Sequence, residues 1–331
     1  MRIIFAGTPE AAVPALLALM SSAHQVIAVV TRPPARSGRG RTLIQSPVAA
    51  AAEELNLPIL TPTSASDPEF LAQLVALAPD AAAIVAYGAL LPPAILTVPT
   101  HGWINLHFSL LPAWRGAAPV YAAIRYGDEL TGATTFRLEA GLDTGPVFGT
   151  VIESIHPSDT AGALLDRIAV SGAQLLVHTL DGIDNNSLVP VPQPFDGVSH
   201  VGKVSVADAE IDWCVPAFAI ERLIRALTPE PGAWTTFRGQ RLGVGTAQVL
   251  DGSAPELRPG ELQISKREVL VGSSSGVLRL GFVQPQGKNV MGAADWARGV
   301  RPREGEAFAS VQEKIAMRNE TIESNEINEA N

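Results

Sequence analysis

Apolar residues along this chain come in short unbroken runs separated by segments with helical spacing. Arg2 to Ala6 is such a run, ended by Gly7-Thr8-Pro9, and Ala11 to Met20 then follows with helix-forming residues, Pro14 being tolerable only in the first turn. Gln25 to Thr31 (QVIAVVT) is β-branched and continuous, as a strand covered on both faces would be. Ser46 precedes an Ala/Glu/Leu segment, Pro47 to Leu55, as an N-cap. The pattern repeats through Ile59 to Leu60, Pro68 to Leu77, Ala82 to Ala86 and Trp103 to His107. Strands and helices therefore alternate through the first half, which predicts an α/β fold with a mainly parallel sheet and helices on both faces.

The pattern changes after about residue 181, where Asp181 to Asn186 and the Pro-rich Val189 to Phe195 (VPVPQPF) interrupt any helix or strand. A first domain over residues 1–190 and a linker over 191–208 are expected. Pro216 to Ala226 then reads as one helix, ended by Thr228-Pro229. Leu242 to Val249, Glu268 to Gly272 and Val277 to Val283 read as short strands separated by Gly, Ser and Pro. That spacing predicts a small β-barrel or sandwich in a second domain, residues 209–306. Residues 307–331 are polar, acidic and rich in Asn and Glu, the composition of a mobile tail.

Composition narrows the function classes. The chain has 331 residues, 47% of them apolar, enough for two cores. A single cysteine, Cys214, excludes an internal disulfide framework, and no secretory leader opens the chain, so a cytoplasmic protein is expected. No apolar run approaches the roughly 20 residues of a membrane-spanning helix. The net charge of −9 argues against a general nucleic-acid binder. Its distribution is uneven, however: residues 1–208 hold 10 Lys/Arg against 17 Asp/Glu, whereas residues 209–306 hold 12 against 11. Within the acidic first domain Arg32, Arg36, Arg39 and Arg41 fall in ten residues with two glycines and two prolines, a basic loop suited to phosphate contacts that position a nucleic acid.

If the strand 103–107 stays extended to Ser109, then Asn105, His107 and Ser109 project from one face. Pro112 ends the run, so these groups lie at a strand's carboxyl end, where open α/β sheets bind ligands. Taken alone, an Asn-x-His pair also fits a turn cap and a satisfied interior histidine. Gly141 to Gly145 adds a carboxylate, Asp143, in a Gly-bounded loop after the β-rich Thr131 to Leu138. An amide, an imidazole and a carboxylate make a working acid–base set. The loop Gly7-Thr8-Pro9 lacks the Gly-x-Gly-x-x-Gly spacing of a dinucleotide site. The remaining histidines share no ligand spacing, so no metal is expected.

INLHFSLLPAWRGAAPV at 104–120 together with GLDTGPV at 141–147 resembles the signature of the folate-dependent formyltransferases. The likeness extends to RIIFAGTPE (2–10), the loop 32–48, KVSVADAEIDW (203–213), PEPGAWTTFRG (229–239) and QPQGKNVM (284–291). It implies a Rossmann-like catalytic domain followed by a small OB-like β-barrel. It also implies 10-formyltetrahydrofolate as co-substrate and initiator methionyl-tRNA as acceptor. A monomer is expected. By the same resemblance Asn105, His107 and Asp143 are catalytic, and Ser109, Leu110, Leu111 and Pro112 hold the folate. Arg32, Arg36, Arg39, Arg41 and Lys203 would meet tRNA, with Arg222, Arg225, Lys266, Arg267 and Lys288 as further surface cations. Members acting on a nucleotide-sugar amine or on glycinamide ribonucleotide share the Asn-x-His-x-Ser core and the later Asp. The second domain and the basic loop favour tRNA over both.

Overall fold

The computed structural model describes residues 1–37, 42–250, 252 and 254–309. They divide into two compact units, the first built from residues 1–123, 129–156 and 163–202, the second from residues 124–128, 157–162 and the chain from Lys203 onward.

Eleven strands belong to the first unit: β1 (Arg2–Gly7), β2 (Gln25–Val30), β3 (Ala35–Ser37), β4 (Thr42–Ile44), β5 (Ile59–Leu60), β6 (Ala81–Val85), β7 (Trp103–His107), β8 (Arg115–Gly116), β9 (Leu130–Arg137), β10 (Val147–Ser154) and β11 (His200–Val201). Seven of them form one sheet in the order β10-β9-β7-β6-β1-β2-β5. The five from β7 to β5 run parallel, and β9 and β10 close the sheet antiparallel. This is the Rossmann-like, mainly parallel sheet expected. The continuous apolar runs have the reason anticipated, since every residue of Ile3 to Ala6 and Ala81 to Val85 is buried.

The helices of this half are α1 (Val13–Met20), α2 (Pro47–Glu54), α3 (Pro68–Leu77), α4 (Pro93–Leu96), α5 (Pro119–Tyr126) and α6 (Ala161–Asp184). Ser46 caps α2, its Oγ accepting from the Ala49 N–H at 3.0 Å. Asp181, expected to interrupt the chain, lies inside α6, whose buried Leu164, Ile168, Gly172, Leu176 and Leu180 recur every fourth residue. This helix covers the Leu106 and Ala133 face of the sheet: a Cβ placed on Gly172 would lie 3.1 Å from atoms of both. By strand alternation Asn105 and His107 point to the opposite face.

The second unit holds α7 (Ala217–Ala226), β12 (Trp234–Phe237), β13 (Gln240–Val244), β14 (Ala247–Val249), β15 (Leu262–Ile264), β16 (Val269–Gly272), β17 (Val277–Leu280), β18 (Phe282–Pro285), β19 (Met291–Gly292) and α8 (Ala293–Val300). Two four-stranded antiparallel sheets result, β12-β13-β18-β19 and β14-β17-β16-β15. The runs 242–249 and 277–283, each expected as one strand, are each broken in two. Both bend at one place, where the Gly245 N–H donates to Phe282 O and the Gly281 N–H to Thr246 O, each at 2.9 Å. A side chain on Gly281 would collide with Thr246 Oγ1 at 2.3 Å. Strands that change sheets at such bends fold a pair of sheets round a single core, as an OB-like barrel requires. That core holds Trp213 stacked on Phe308 at 5.2 Å and Phe237 edge-on to Trp296 at 5.3 Å.

Candidate active site

β7 carries Asn105 and His107 to the carboxyl edge of the parallel sheet. Its partners hold it in register on both sides, with Ile84 of β6 opposite Asn105 and Thr134 of β9 opposite His107. The His107 ring is buried, packed edge-on to Phe136 with centroids 6.4 Å apart. Its Nε2 lies 3.0 Å from Trp114 O, and only a protonated nitrogen can satisfy that carbonyl. Nδ1 then faces Asp143 Oδ2 at 3.9 Å, an ion-pair distance rather than a hydrogen bond. Burial pushes the His107 pKa down, while Asp143 and then the Trp114 carbonyl work against that shift. The imidazole therefore rests neutral and needs a further partner to become charged. Asn105 is half-buried, and its amide has no hydrogen-bond partner among the described residues.

The chain beyond β7 turns back on itself. Ser109, expected to share a face with Asn105 and His107, instead lies past the strand end and is fully buried, its Oγ donating to Ala113 O at 2.6 Å. Its hydroxyl shapes the turn and is not free for a ligand. Thr134 fastens the same turn, donating to Ser109 O at 2.7 Å and accepting from the Leu111 N–H at 3.2 Å. Leu111 is buried, and Leu110 and Pro112 are half-buried. Trp114 has φ +56°, a left-handed value that costs a non-glycine residue energy. Both of its peptide groups are tied down, the N–H to Ser199 Oγ at 2.8 Å and the carbonyl to His107.

Asp143 is also left-handed, at φ +52°, and buried. Its Oδ2 accepts from the Gly116 N–H at 2.7 Å. Only glycine suits position 116, since its φ is +114° and a Cβ there would stand 2.2 Å from Val201 O. Val201 belongs to β11, which pairs in parallel with β8. The stretch expected as a linker therefore does more than tether: Val191 exchanges backbone hydrogen bonds with Val147, and Gln193 and Ser199 reach the loops that carry Asp143 and Trp114. Ser199, Gln193 and Thr134 lie outside the motifs, and their roles depend on distant partners. Nothing local in the sequence marks them.

Arg32 does not stand on a free arm. Its Nη1 donates to Gly88 O at 3.0 Å, and with Pro62 to Ser66, Tyr87, Ala89 and Leu90 it lines a cavity of about 220 Å³. Burial raises the Tyr87 pKa, and the Arg32 guanidinium opposes the rise. Arg36 is exposed on β3, which pairs with β4 as a hairpin, while Arg39 and Arg41 lie outside the described residues. Lys203 is exposed and belongs to the second unit. Among the described residues no group of three or more His, Cys, Asp or Glu could hold a metal ion, and no helix is long and apolar enough to cross a membrane.

The chain is 58% identical over 308 residues to the methionyl-tRNA formyltransferase of Thermobifida fusca, covering 93% of this chain and 99% of that one. It is 58% identical over 301 residues to the protein of the same name from Mycobacteroides abscessus, covering 91% and 97%. Among solved structures, the sugar 3N-formyl transferase WlaRD has the same fold, with a TM-score of 0.65 at 17% identity over 87% of this chain and 99% of that one. HypX from Aquifex aeolicus in complex with tetrahydrofolic acid has a TM-score of 0.62 at 15% identity, over 93% of this chain and 50% of that one. Residues 1–180 match the formyl transferase family and residues 203–301 its C-terminal domain, and the chain belongs to that family.

Proposed function

We propose that this protein transfers the formyl group of 10-formyltetrahydrofolate to the α-amino group of methionyl initiator tRNA, in the cytoplasm, for translation initiation. One observation carries the choice of acceptor: the 58% identity to a methionyl-tRNA formyltransferase spans 93% of the chain and so runs through both domains. A match to the first domain alone would leave a nucleotide-sugar amine equally open. One chain carries every residue of the site, so a monomer suffices.

In the reaction a bond forms between the formyl carbon and the amine nitrogen, and the bond from that carbon to N10 breaks. Asn105 donates its amide N–H to the oxygen as it becomes anionic, an interaction worth on the order of 3 kcal/mol. Asp143, 3.9 Å from His107, takes the proton that leaves the attacking nitrogen. His107 starts neutral. The growing negative charge on the formyl oxygen joins Asp143 in favouring its protonated form, so it can accept that proton and deliver it to N10. Leu110, Leu111, Pro112 and the backbone of the Ser109 turn supply the apolar and hydrogen-bonding wall for the folate. Arg32, Arg36, Arg39, Arg41 and Lys203, with the second domain, meet the tRNA backbone.

Purified protein given 10-formyltetrahydrofolate and methionyl-tRNA is expected to yield formylmethionyl-tRNA. Turnover of a nucleotide-linked amino sugar with no product from the charged tRNA overturns this reading.

A further inference from the structure

Gln193 sits in the Pro-rich stretch near the end of the first unit, where a polar side chain would ordinarily be solvated. From residue 191 to 198 it is the one side chain that is not exposed; Val191 and Phe195 are 65% and 99% exposed. Every hydrogen-bonding direction of its amide is used. Nε2 donates to Asp143 O and to Gly145 O, both at 2.8 Å. Oε1 accepts from Arg115 Nη2 at 2.6 Å and Nε at 3.2 Å. Two donors and two acceptor directions are the full complement of a carboxamide, and no other side chain offers that set at this length.

We infer that Gln193 is a positioning residue for the transfer: it clamps the Asp143 loop to Arg115 of β8 and thereby sets where the Asp143 carboxylate stands. The geometry needs such a clamp. Asp143 is held in a left-handed conformation, and the Gly141 to Gly145 loop is a run of turn residues with little regular structure of its own. The carboxylate is fixed at one end by the N–H of Gly116, the residue after Arg115. Gln193 fixes the backbone at the other end to the side chain of Arg115 itself. β8 and the catalytic loop are therefore joined twice, once through Gly116 and once through Gln193. Misplacement of a catalytic group by about 1 Å can cost on the order of a hundredfold in rate.

The inference rests on Asp143 and His107 carrying the reaction, and the experiment separates the two claims. Gln193→Met keeps the length and removes all four hydrogen bonds. Gln193→Glu keeps the acceptors for Arg115 but sets a carboxylate against two carbonyls. Both are expected to lower kcat about a hundredfold with the KM for 10-formyltetrahydrofolate unchanged. Asp143 and the Trp114 carbonyl are the groups that raise the His107 pKa, so freeing the loop should move the His107 titration, followed by NMR on the folded variant, to lower pH. A change in stability alone would not move it. Asp143→Asn serves as the reference: if it is inactive while both Gln193 variants turn over and titrate as wild type, the clamp is overturned and the catalytic assignment stands. If Asp143→Asn is itself fully active, both fall. Should Gln193→Met fail to fold, Gln193→Glu decides by its kcat at unchanged KM, since its added carboxylate itself acts on the His107 titration.

Discussion

In the proposed reaction three side chains divide the chemistry, and each has its own expected signature. Asn105→Ala should lower kcat by about 10²- to 10³-fold with folate binding intact, because a donor to a developing oxyanion is missed only in the transition state. A rise in KM at constant kcat would assign Asn105 to ground-state binding instead. Asp143→Asn keeps the loop, since asparagine tolerates a left-handed backbone, and should lose on the order of 10²- to 10⁴-fold with the fold intact. His107 also leaves a mark on stability. Burial lowers its pKa, as it does that of His24, so below about pH 6.5 the unfolded chain binds more protons than the folded one. Stability is therefore full above that pH and falls as the pH drops below it. In denaturant titrations between about pH 7 and pH 5, His107→Asn should lose stability less steeply than wild type. Parallel curves would show that His107 is not held neutral in the folded state.

At the scale of elements, the site is a junction of short pieces pinned by a few hydrogen bonds. Gly116→Ala would force β8 away from β11, because the added Cβ meets Val201 O at 2.2 Å, and would move the N–H that holds Asp143. Turnover should collapse while the central sheet still melts cooperatively; wild-type kcat in that variant would show that the Gly116 bond is dispensable. α2 offers the opposite case, a purely structural cap. Ser46 Oγ accepts from Ala49 N–H and meets Thr31 Oγ1 at 2.6 Å, so Ser46→Ala should cost about 1 kcal/mol of stability and leave kcat unchanged. The strands of the parallel sheet were readable because burial on both faces leaves a continuous apolar run. Those of the second unit were readable only in part. A strand that bends from one sheet to another keeps its composition through the bend, so 242–249 and 277–283 each looked like one element.

For the whole molecule, affinity for tRNA should depend on salt through the exposed cations. Arg36→Ala is expected to weaken tRNA binding uniformly and to reduce the slope of log K against log salt by about one, with the folate KM unchanged. An unchanged slope would remove Arg36 from the interface. The sequence by itself determined the alternation that makes a parallel sheet and the placing of Asn105 and His107 on one face of β7, because these follow from short-range periodicity; the reaction type followed from the resemblance of the motifs at 104–120 and 141–147 to a known family. Only the tertiary structure decided that Ser109 spends its hydroxyl on Ala113, that Arg32 lines a cavity beside Tyr87, and that the stretch before Lys203 braces the loops of the site. The first is a bond within one turn that opens only once β7 has ended, and the others are contacts fixed by where the chain returns. Gln193 lies 50 residues from Asp143 and Ser199 lies 85 from Trp114, and no local pattern carries information across such a span.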